Sequence, residues 1–219
     1  MAATGNSRCI RVLGIDPAAA GPTGYAIVES DGRECRSLHY GALKVADKLR
    51  KESAGAALEA VHSTICRLLR EFTPDALAVE SIFSALNVKT ALRLAEVRGV
   101  VLLAAAQHGV EVHSYAPRLI KASVAGYGHA DKRQLQLMVR SLLNLAEIPE
   151  PADAADALAV ALCHVQSAQF RARFALPIEV SSRVRRSQIV TTKSPGPATV
   201  AAPGRSSRAP FSRQVPLSP

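Results

Sequence analysis

Short apolar runs, separated by longer stretches in which apolar residues recur at helical spacing, set the pattern of this chain. Arg11-Val12-Leu13-Gly14-Ile15-Asp16-Pro17 crowds Val, Leu and Ile between Gly and Pro, and it predicts a strand buried on both faces. A turn over 18–24 leads to a second strand, Tyr25-Ala26-Ile27-Val28-Glu29-Ser30. Asp31-Gly32 is a hairpin signal and 35–45 supplies a third strand, so residues 9–45 read as an antiparallel meander. The period then changes. Leu49, Ala56, Ala57, Ala60, Val61, Thr64, Ile65, Leu68 and Leu69 fall at helical spacing until Thr73-Pro74 stops the helix.

Ala76-Leu77-Ala78-Val79-Glu80 is another short apolar run. A long helix over 86–107, interrupted near Arg98-Gly99, and a strand over 110–115 follow it. Strand, helix, strand is the order of a parallel crossover, so the expected fold is α/β, with a mixed five-stranded sheet flanked by helices: a three-strand meander extended by two parallel strands. Short helices are expected over 117–124 and 132–143, and a last one over about 152–169.

Two of these strands end on carboxylates, Asp16 and Glu80. An Asp at the tip of a buried strand is costly unless a cation, a donor cluster or a catalytic role holds it there, although an Asp that merely opens the Asp16-Pro17 turn is an equally ordinary reading. Adjacent parallel strands end on the same side of a sheet, which brings Asp16 and Glu80 together. Asp153 and Asp156, spaced i, i+3 at the opening of the last helix, share one face; alone, they could be simple helix-start design. Were all four to converge, each pair about 4 Å apart would repel by roughly 4 kcal/mol at an effective dielectric near 20. Such a cluster calls for a hard divalent cation, Mg²⁺ or Mn²⁺, and a two-ion site bridged by Asp16 suits phosphodiester hydrolysis.

Charge changes the picture less than its total implies. The formal net charge is +9, but residues 171–219 carry nine Lys or Arg against the single Glu179, so the body over 1–170 is close to neutral. That Pro-, Ser- and Arg-rich stretch has few large apolar residues, and is expected to be a disordered basic tail on a single folded domain of 1–170. Cys9, Cys35, Cys66 and Cys163 are scattered without a C-x-x-C pair, against a zinc site or a disulfide framework and in keeping with a reducing cytoplasm. The longest apolar run, Gly99 to Ala106, is far below the roughly 18 residues of a membrane span. His129 reads as an exposed loop residue, and His164, two helical turns beyond Asp156, stands too far on to join the acids.

Several motifs in order resemble the RuvC family of Holliday junction resolvases. They are Leu13-Gly14-Ile15-Asp16-Pro17 with Thr23-Gly24-Tyr25, Val79-Glu80 followed by Phe83, Tyr115-Ala116-Pro117-Arg118 with Lys121, Ala130-Asp131-Lys132, and Asp153-Ala154-Ala155-Asp156-Ala157-Leu158-Ala159. The likeness spans about 9–168 and none of the tail. It implies a ribonuclease H-like fold, a homodimer, and Mg²⁺-dependent symmetrical nicking of opposing strands of a four-way DNA junction, with two ions per subunit and Mn²⁺ as a substitute. It also implies Asp16, Glu80, Asp153 and Asp156 as catalytic, metal-holding residues. Phe83, Lys121, Lys132 and Arg118 become DNA contacts, and a RuvA–RuvB branch-migration complex becomes a candidate partner. Departures from the pattern lie in the turn Ala18-Ala19-Ala20-Gly21-Pro22, one residue longer than usual, at Ser81 in place of a common Gln, and at Leu86 in place of a basic or polar residue. Two other classes remain on the residues alone: an actin-like or sugar-kinase phosphate loop at Gly14-Ile15-Asp16-Pro17, and a non-catalytic binder of branched DNA.

Overall fold

The computed structural model describes residues 9–19, 21–44, 53–81 and 87–174. Strands β1 (Ile10–Asp16), β2 (Thr23–Ser30) and β3 (Cys35–Leu43) are followed by helix α1 (Ala54–Phe72), strand β4 (Ala76–Glu80), helix α2 (Val88–Gln107) and strand β5 (Glu111–Tyr115). Helices α3 (Pro117–Ala125), α4 (Lys132–Leu142) and α5 (Ala152–Phe174) complete the domain. The five strands form one sheet in the order β3-β2-β1-β4-β5, with β1–β2 and β2–β3 antiparallel and β1–β4 and β4–β5 parallel. The expected mixed sheet, a meander extended by two parallel strands, is the one found.

The period-2 pattern of the strands divides the core in two. Leu13, Ile15, Ile27, Leu77 and Val79 face α1 and α2, while Val12, Ala26, Val28, Ala78 and Tyr115 face α3, α4 and α5. Alternation therefore carries Asp16 and Glu80, which follow Gly14 and Ala78 by two, onto the α5 side of the sheet. At the opposite end of β1, Glu29 is buried between Arg11, at 2.7 Å, and Arg36. Hydrogen bonds from Arg11 and then Arg36 hold its carboxyl below the usual range.

Besides shifts of a residue at several element ends, the structure departs from the sequence expectation in the turn before β2, within α2 and at the end of α5. Thr23 and Gly24 belong to β2 and not to the turn, because Gly24 pairs with Asp16 across the antiparallel ladder. The long helix α2 is continuous through Arg98-Gly99; one Gly costs a helix about 1 kcal/mol, and this one faces open space. Finally, α5 runs on to Phe174, past the expected end near Gln169. Residues 175–219, which include most of the basic tail, lie outside the described residues, as do Leu49 and Leu86. Among the described residues no helix is long and apolar enough to cross a membrane.

Candidate active site

Three elements bring the four acids toward one another. β1 ends at Asp16 and β4 at Glu80, and the register Ile15↔Val79 sets the two carboxylates side by side at the same sheet edge. Helix α5 then crosses directly over β1 and β2. It can do so because of two glycines: a Cβ at Gly14 would overlap the Ala157 carbonyl and lie 2.8 Å from the Ala161 nitrogen, and a Cβ at Gly24 would overlap the Asp153 carbonyl. With backbone on backbone, the first turns of α5 lie against the strand ends, and Asp153 and Asp156 come within electrostatic reach of Asp16.

The electrostatics of Asp16 register this crowding. Its carboxyl is pushed up to about 9, first by burial, then by the hydrogen bond and charge of Glu80, and then by the charges of Asp156 and Asp153. Glu80 is also raised, chiefly by burial, with Asp156 adding to the effect and Lys121 opposing it. The pair thus holds a proton between two oxygens where two negative charges cannot stand together. Lys132 Nζ lies 3.1 Å from Asp156 Oδ2, and that contact raises the lysine. Its place is set by Asp131, whose side chain caps α4 in a reciprocal capping box with Gln134 and so puts Lys132 at the first helical position.

Beside the pair opens a cleft of about 210 Å³, lined by Glu80, Lys121, Lys132, Asp156 and the apolar Pro117, Ile120, Leu135 and Val160. Two carboxylates and two ammonium groups face one another across it. The acids around Asp16 offer carboxylate oxygens, the donor type that Mg²⁺ and Mn²⁺ take. Among the described residues, no three acidic, His or Cys side chains are gathered tightly enough to encircle an ion as they stand. The residues fit a divalent ion by chemistry and charge, with Asp16 and Glu80 as the closed pair and Asp153 and Asp156 as its neighbours.

Of the other expected residues, Lys121 and Lys132 line the cleft, while Arg118 is exposed on α3 and does not. Phe83 lies outside the described residues. His129 is exposed, as the loop reading expected. His164 proves to be a buried partner: its Nδ1 lies 2.8 Å from the Tyr115 hydroxyl, and its ring packs 4.5 Å from His113. Sequence reasoning missed this pair, since a contact 49 residues apart leaves no spacing signal.

Burial, aided by His113 and Arg171, pushes His164 down to about 4. The folded protein therefore binds fewer protons than the unfolded chain, in which an ordinary His titrates near 6.5. Stability is full above about pH 6.5, falls as pH drops toward 4, and levels below that, for a loss on the order of 3 kcal/mol. His164→Asn should flatten this part of a melting-temperature profile; an unchanged profile would place the acid sensitivity elsewhere.

Comparison with known proteins follows the same residues. The model of the family "Crossover junction endodeoxyribonuclease RuvC" matches residues 12–164. A RuvC from Caldicellulosiruptor saccharolyticus is 44% identical over 159 residues, covering 72% of this chain and 93% of that protein. One from Thermosipho melanesiensis is 42% identical over 161 residues, covering 74% of this chain and all of that protein. Among solved structures, T. thermophilus RuvC in complex with Holliday junction substrate superposes with a TM-score of 0.69 at 36% identity, over 74% of this chain and 96% of the other. The yeast mitochondrial Holliday junction resolvase Ydc2, 12% identical with a TM-score of 0.53, shares the fold.

Proposed function

Since the chain belongs to the RuvC family of crossover junction endodeoxyribonucleases, we propose that Asp16, Glu80, Asp153 and Asp156 are its catalytic and metal-holding residues, serving Mg²⁺ ions, two per subunit, with Mn²⁺ as a substitute. The protein is a metal-dependent endonuclease that resolves four-way DNA junctions in recombination and repair. The observation that supports the residue assignment best is the hydrogen-bonded Asp16–Glu80 pair lying under the charges of Asp153 and Asp156.

When bound, the metal would activate water and stabilise the leaving oxygen of the phosphodiester. The chain's own residues do the rest. Asp16 and Glu80, with Asp153 and Asp156 beside them, would hold the cation, whose charge would offset the crowding that keeps a proton on the pair. Lys121 and Lys132, which line the cleft with Glu80 and Asp156, would meet the phosphate backbone and offset the charge that the acids bring. The apolar wall of Pro117, Ile120, Leu135 and Val160 limits water beside them. Arg118 would contact DNA outside the cleft, and Phe83 would stack on an unpaired base for about 1 to 3 kcal/mol.

The test is a nicking assay. Junction DNA in Mg²⁺ should yield paired nicks in opposing strands, linear duplex none, and chelation should stop the reaction; equal cleavage of duplex would remove the junction selectivity. Against an ATPase reading, Gly14, Ile15 and Asp16 belong to strand β1, and the open face of Gly14 is filled by α5 backbone, which leaves no room there for a phosphate.

Paired nicks need paired subunits, and α2 offers the surface for a homodimer. Val88, Leu92 and Leu103 are exposed along it by 76%, 61% and 52%, with the small Ala95 and Gly99 between them. Leu92→Glu should give a monomer by sedimentation and turn paired nicks into single ones. The basic stretch over 171–219 is proposed as an accessory arm that binds DNA without sequence preference, the cytoplasm as the location, and a RuvA–RuvB branch-migration complex as a partner.

A further inference from the structure

Arg98 projects from α2 against the sheet face opposite the carboxylates. Its guanidinium serves two strands at once: Nη2 donates to Ser114 Oγ at 2.6 Å, and Nη1 reaches to 3.5 Å from the backbone carbonyl of Glu80. The next amide along, Ser81 N–H, donates to the Tyr115 carbonyl at 2.8 Å. The single peptide unit that joins Glu80 to Ser81 is therefore gripped at both ends, its oxygen by α2 and its nitrogen by β5.

That grip matters because of where β4 ends. Pairing with β1 stops at Ile15↔Val79, so Glu80 has a ladder neighbour on the β5 side alone. A strand residue held on one side keeps freedom in its last dihedral, and the direction of its side chain follows that dihedral. We infer that Arg98 is a positioning residue for the catalytic centre: from behind the sheet it holds the Glu80 backbone, and so sets where the Glu80 carboxylate stands relative to Asp16. A guanidinium suits the task, being planar, always charged, and able to direct two N–H groups at acceptors on neighbouring strands. Ser114, one rung before Tyr115 on β5, is the second anchor, since its hydroxyl fixes the direction of the fork.

The inference rests on the proposed role of Glu80 as a metal-holding carboxylate. It adds that α2, with its exposed apolar stripe, is joined to the metal site by one side chain. Removing an outer partner of a metal ligand typically costs tenfold or more in metal affinity. Full-length Arg98→Met should weaken Mn²⁺ binding measured by titration calorimetry and raise the Mg²⁺ concentration for half-maximal nicking, each by about tenfold. Junction affinity in Ca²⁺, without turnover, should stay within about twofold, which is the readout of a backbone anchor and not of a phosphate contact. Arg98→Lys should recover part of the loss, because an ammonium can reach one acceptor but lacks the fork to span both.

Ser114→Ala, which removes only a hydroxyl, should shift metal dependence in the same direction by less, and it carries the test if Arg98→Met fails to fold. Wild-type metal dependence in the variants that fold would overturn the inference. So would junction affinity that falls in step with rate, which would make Arg98 a DNA contact. If the wild-type protein did not nick junctions in Mg²⁺, the nuclease reading would fail instead, and Mn²⁺ titration of the same variants would still judge Arg98.

Discussion

Asp16→Asn should abolish nicking of a four-way junction while leaving junction binding in place. Asp16 is hydrogen-bonded to Glu80 and feels the charges of Asp153 and Asp156, so it is the acid on which the cluster converges. An amide keeps its shape but brings no negative charge to a cation. Loss of metal stabilisation worth several kcal/mol corresponds to about 10³-fold or more in rate. The same change should not harm the fold. A carboxyl raised to about 9 is one whose ionised form the folded state disfavours: ionising it costs stability as pH rises from its ordinary value toward 9. A neutral amide escapes that cost, so in the absence of metal the variant should melt at the same temperature as the parent or a few degrees higher. Gel-shift and melting measurements beside the nicking assay check all three statements. Residual cleavage within about tenfold of the parent would remove Asp16 from the catalytic set.

Gly24→Ala is the second severe change, though the residue has no chemistry of its own. A methyl group there must overlap the Asp153 carbonyl and come 2.6 Å from its carbon, and neither the β2 backbone nor the α5 backbone can yield as a side chain would. The start of α5 has to lift from the sheet. Overpacking of this kind costs about 1–3 kcal/mol and sometimes more, which for a domain of this size is a fall of several degrees in melting temperature. The loss of activity should exceed what that destabilisation explains, because lifting α5 moves Asp153 and Asp156 away from Asp16. Misplacement by about 1 Å can cost on the order of 100-fold in rate. Gly14→Ala strains the same helix further along, at Ala157 and Ala161, and should destabilise comparably while disturbing the acids less. Equal losses of activity at matched stability would mean that the helix moves as a rigid body.

The two predictions separate a ligand from the packing that places it, and the separation explains what could be read in advance. Strand periodicity alone put Asp16 and Glu80 at the ends of neighbouring parallel strands, because a two-residue repeat and a right-handed crossover leave little choice of side or direction. The i, i+3 spacing likewise put Asp153 and Asp156 on one face of the helix that starts at Ala152. The likeness of ordered motifs implies that the four acids act together. Helix limits were less legible. Gly99 reads as a break, but the cost of one glycine in a helix of 20 residues is smaller than the cost of unmaking the turns around it.

What this chain determines by local pattern alone is thus the strands and helices, the mixed sheet and the identity of its acidic residues, since each depends on spacing over a few positions. Only the tertiary structure decided how closely α5 settles on Gly14 and Gly24, that Lys132 faces Asp156, that His164 is a buried partner of Tyr115, and that Arg98 grips the backbone of Glu80 from behind. Those contacts join residues from 18 to 147 positions apart. No short-range repeat encodes them, because they depend on how faces with matching shape and charge meet once the sheet has formed.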